Sequence, residues 1–75
     1  MEQPKFKPDA ESMNALFTAM GALVFASVRQ MPEEQQKAFR QDLVALSTAR
    51  NNVGDTIAGT AILDLALAAE VAMRE

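Results

Sequence analysis

The sequence predicts an all-α protein, a three-helix antiparallel bundle that self-associates through Ala-rich helix faces. Three observations carry that prediction. Apolar residues recur at three- and four-residue spacing over three long segments, and no two-residue alternation lasts long enough to make a strand. Pro32 and Gly54 fall between those segments, where helix connections use such residues. Ser12 to Val28 carries no charge, and the helix it implies is apolar on two opposed faces. One small core cannot cover both.

Residues 1–8 read as an extended arm. Pro4 and Pro8 each push the preceding residue away from the α region, Lys5 and Lys7 are solvated, and Phe6 could dock on the body. The single helical domain then covers 9–75. Asp9 is a suitable N-cap because its carboxylate can accept from the free N–H groups of a first turn, where Glu11 adds favourable charge.

The first helix is expected over about 9–30. At about 100° per residue, Ala15, Ala19, Ala22 and Ala26 share one narrow stripe. Met13, Phe17, Met20, Val24, Val28 and Met31 fall roughly opposite and read as the face toward the chain's own core. The thioethers among them suit an adaptable groove, but their helical spacing favours core. Gly21 weakens the helix relative to Ala and suggests close approach of another backbone.

The second helix is expected over about 32–50, with Pro32 at its first position and Glu33 and Glu34 complementing the helix start. Phe39, Leu43 and Leu46 form its apolar stripe, flanked by Ala38, Ala45 and Ala49. Asn51 or Asn52 can take the left-handed conformation that ends it. The third helix is expected over about 55–74, capped by Asp55 or Asn52. Ile57, Ala58, Ala61, Ile62, Leu65, Ala68, Ala69, Ala72 and Met73 form a wide apolar arc, while Leu63, Leu67 and Val71 make a separate row. That row reads either as an exposed ridge for a partner or as packing under Phe6 or the second helix.

Composition narrows the function. The 75 residues include no Cys and no His, which removes disulfides, thiolate metal sites and the usual general base near pH 7. A chain this short is marginal alone, so self-association is the remaining support. Absence of Cys fits a reducing compartment, and the expectation is a cytoplasmic protein. The net charge of −3 and the lack of Trp and Tyr argue against non-specific nucleic-acid binding and base stacking.

No residues fit catalysis. Glu33 and Glu34 diverge by about 100° on a helix, and Asp64 and Glu70 lack helical-neighbour spacing. No phosphate loop, nucleophile–base arrangement or metal-ligand spacing occurs, so neither cofactor nor metal is expected. The expected function is a protein–protein interaction module, an adaptor, regulator or inhibitor, acting as a homodimer or higher oligomer. Its candidate interface comprises Ala15, Ala19, Ala22, Ala26, Leu63, Leu67 and Val71.

Two alternatives remain. The apolar segment 12–28 only reaches the lower length limit for a membrane span and contains Ser12, Asn14, Thr18, Gly21 and Ser27; as a signal peptide it lacks a clear cleavage site. A helix-turn-helix reading could use Arg29, Lys37, Arg40 and Arg50, but the third helix offers Asp55, Asp64 and Glu70 where groove readout wants basic or amide side chains.

Overall fold

Three capping arrangements set the helix boundaries. The structure, a computed structural model, describes residues 9–74; the expected arm over 1–8, including Phe6, lies outside them. Asp9 is the N-cap of α1 (Ala10–Arg29), and its Oδ1 accepts from the Ser12 N–H at 2.8 Å. The α2 helix (Glu33–Asn52) starts with no side-chain cap, because Pro32 holds the N-cap position rather than the first helical one. Gln36 donates from Nε2 to the Val28 carbonyl at 2.8 Å, which ties the first turn of α2 to the end of α1. The α3 helix (Thr56–Arg74) is capped by Asp55, whose Oδ1 accepts from the Ala58 N–H at 3.2 Å.

The turn after α2 corrects one expectation. Asn51 and Asn52 both stay helical, and Gly54 takes the left-handed conformation at φ +86°. The Gly54 N–H donates to the Asn51 carbonyl and the Asp55 N–H to the Arg50 carbonyl, which closes a Schellman motif around that glycine. A residue without Cβ takes the left-handed position at least cost, so glycine outcompetes asparagine here.

The protein is all-α, a three-helix bundle with up-down-up connectivity. Among the described residues there is no strand. The α3 helix packs against both others, whereas α1 and α2 hardly touch. The C-terminal halves of α1 and α3 meet at one end, where Val28, Ala69 and Ala72 form a buried cluster. Val24, Phe25, Phe39, Leu43 and Met73 pack around it. The bundle is thin, with extents of 44 × 34 × 13 Å. Val28 is its only large side chain among the described residues that is fully buried.

Several further residues depart from expectation. Met13 and Met20, expected in the core, are exposed, as is Leu46, because α1 and α2 diverge and do not cover each other. Ile57 lies at the start of α3, beyond reach of the buried cluster, and is 87% exposed. Phe25, absent from the expected core face, packs against Val28 instead. Gly21 has open space where a Cβ would stand, so no backbone approaches it. The close approach lies at Gly59, where a Cβ would collide with the Asn51 side chain.

Candidate interaction surfaces

Folding leaves three apolar features uncovered. The first is the outer face of α1. Phe17, Gly21, Val24, Phe25 and Val28 turn inward, and Ala15, Ala19, Ala22 and Ala26 are all exposed. Helical geometry puts the alanine stripe opposite Val28, so the chain does not use it between its own helices. Leu16 and Leu23 lie beside the stripe, Met20 further round and Met13 on the far side, all exposed, with Leu23 at 68%. Leu16 and Leu23 were not among the expected interface residues. Their signal was readable, since they stand seven residues apart on one flank of the stripe.

The second feature is the row Leu63, Leu67 and Val71 on α3, which is exposed at 43%, 51% and 46%. Among the described residues the row is exposed and does not pack under α2; the expected alternative of packing under Phe6 lies outside them. It points away from the α1–α2 side because Leu65, Ala66, Ala69 and Ala72 occupy the buried arc. The two candidate sets therefore lie on separate surfaces.

The third feature is a groove of about 610 Å³ between the N-terminal halves of α1 and α3. Phe17, Ile57 and Ala61 line its apolar part, and Asn14, Thr18, Thr56, Thr60 and Asp64 its polar part. The groove exists because α1 and α3 are in contact at their C-terminal ends and separate toward their N-termini.

Charge is sparse near these surfaces. The Asp9 carboxyl, fully exposed, is held below its ordinary value of 3.8, first by the Ser12 backbone hydrogen bond and then by the Ser12 side chain. Arg29 stacks over the Phe25 ring, 5.7 Å from its centroid. Exposed ion pairs join Glu33 to Lys37 at 3.7 Å and Glu70 to Arg74 at 3.3 Å. Among the described residues, no group of three or more acidic, Cys or His side chains could hold a metal ion.

Both α1 and α3 are long and apolar enough to cross a membrane by length and composition. Comparison with family models, curated proteins and solved structures finds no match to the chain.

Proposed function

We propose that this chain is a helical protein–protein interaction module that works as a homo-oligomer in the cytoplasm, without catalytic chemistry of its own. The observation that carries the reading is the large apolar surface left on α1 and α3 after the bundle has formed its own core. An apolar face of this size on a soluble chain marks a contact surface.

Magnitudes limit what one face can do. Even with Met13 on the far side counted, the exposed parts of Met13, Leu16, Met20 and Leu23 amount to roughly two whole side chains, an upper limit of about 3–6 kcal/mol per copy when covered. Association costs about 4–15 kcal/mol. Two α1 faces alone therefore reach a micromolar dimer at best, near 8 kcal/mol. Tighter assembly needs the α3 row as well, or a second protein on it.

A membrane-associated role is the competing reading, supported by the length and hydropathy of α1 and α3. The topology weighs against it. The two helices run parallel, so spanning as a bundle carries α2 across too, with Glu33, Glu34, Lys37, Arg40, Asp42 and Arg50. Charged residues at mid-bilayer cost about 2.5–3.5 kcal/mol each. Inserting α1 and α3 alone dismantles the Val28–Ala69–Ala72 cluster. A DNA-binding role is weaker still, since the exposed row of α3 is Leu63, Leu67 and Val71 beside Asp64.

Sedimentation equilibrium between 1 µM and 100 µM (about the range set by those magnitudes) tests the reading. A concentration-dependent oligomer is expected. A monomer throughout, together with flotation on liposomes, would overturn it in favour of the membrane role.

A further inference from the structure

We propose that a second copy of this chain covers the outer face of α1 with its own α1, antiparallel, about a two-fold axis passing near Ala19. The inference rests on the self-association reading and adds the face and the orientation.

What carries it is the arrangement of the two flanks of that face. Along one flank run Leu16, Met20 and Leu23, all exposed. Along the other run Glu11, Thr18 and Arg29, also exposed. Glu11 and Arg29 stand eighteen residues apart, five full turns, so they share one direction around the helix about 27 Å apart along it. Neither has an ion-pair partner among the described residues. Arg29 is held on that side by its stacking on Phe25.

A two-fold axis across the seam brings each flank against its own copy, running the other way. Leu16, Met20 and Leu23 then meet the same three side chains, and each Glu11 meets Arg29 of the second copy. The exposed alanines lie between the flanks and let the two axes come close. A parallel pair does the opposite. It sets the leucine flank of one copy against the charged flank of the other and leaves Glu11 and Arg29 without opposite charges. Opposed helix dipoles favour the antiparallel choice as well.

The absence of cysteine permits a clean test on the full chain. Ala19→Cys and Ala26→Cys are both exposed substitutions, introduced singly and oxidised under mild conditions. In the antiparallel pair the two thiols introduced at position 19 face each other, whereas those introduced at position 26 are about 21 Å apart along the axis. A disulfide tolerates a Cα separation of only about 7 Å. The expected result is a covalent dimer for Ala19→Cys and none for Ala26→Cys. Cross-linking of both, or of Ala26→Cys alone, overturns the orientation. Cross-linking of neither, in a chain that still sediments as a dimer, overturns the face but leaves the self-association reading standing. A chain that is monomeric throughout overturns both. Charge exchange supplies a second readout. Glu11→Arg and Arg29→Glu each weaken the dimer several-fold, and the double exchange restores it; failure to restore counts against the pairing.

Discussion

The Ser47 hydroxyl donates a buried 2.6 Å hydrogen bond to the Gly59 carbonyl, joining α2 to α3. Ser47 is 3% exposed and is the only buried polar residue among those described. A Cβ on Gly59 would collide with the Asn51 side chain, one turn beyond Ser47, and push that amide aside. Ser47→Ala is expected to lower stability by about 1 kcal/mol, the net worth of one hydrogen bond. Urea unfolding followed by circular dichroism measures it, and an unchanged midpoint would mean that the bond contributes nothing net.

The two mid-helix glycines should respond oppositely. Gly21→Ala meets open space and recovers helix propensity, so it is expected to stabilise by about 0.5–1 kcal/mol. Gly59→Ala forces the Asn51 amide aside and should be neutral or destabilising in the native chain. In an Asn51→Ala background the same change is expected to stabilise. A double-mutant cycle on thermal unfolding checks the coupling.

Val28 anchors an end of the bundle where all three helices contribute apolar side chains. It has no exposed surface. Val28→Ala is expected to cost about 2 kcal/mol by lost transfer energy and an unfilled cavity. Leu23→Ala, on the same helix but 68% exposed, should barely change monomer stability. The same urea series compares the two.

The depressed Asp9 carboxyl makes α1 sensitive to acid. Its stabilising effect is complete above the ordinary value of 3.8 and is lost as pH falls below that toward the lowered folded value. Helicity should therefore drop between those limits in the native chain. The drop should be smaller in Asp9→Asn, whose amide oxygen still caps but does not titrate.

Ala22→Glu and Leu23→Glu place a charge on the outer face of α1, and both positions are exposed in the folded chain. Each is expected to abolish self-association while leaving the circular dichroism spectrum of a folded three-helix protein. Sedimentation velocity separates the outcomes: an unchanged oligomer would move the interface to the Leu63–Leu67–Val71 row.

Much of this fold was legible in local chemistry. Asp9, Pro32, Gly54 and Asp55 mark the helix ends through capping and backbone constraints that act within a few residues. The opposition of the alanine stripe to Val28 follows from helical periodicity alone, and so did the expectation that one apolar face would be left over. Periodicity ranks the faces of one helix, but it does not say how far a neighbouring helix extends over them. Met13, Met20 and Leu46 therefore read as core although the divergence of α1 from α2 leaves them in solvent. Gly21 and Gly59 are alike in sequence, each inside a helix, and only the position of Asn51 separates the free one from the constrained one.

The amino-acid sequence by itself determined three helices, the Asp9 and Asp55 caps and a surplus of apolar surface, because these depend on short-range backbone and periodicity rules. Tertiary structure alone decided which surface is surplus. Seating α3 against both partners buried Leu65, Ala66, Ala69 and Ala72, and left the outer face of α1 and the Leu63–Leu67–Val71 row facing away from the other described helices.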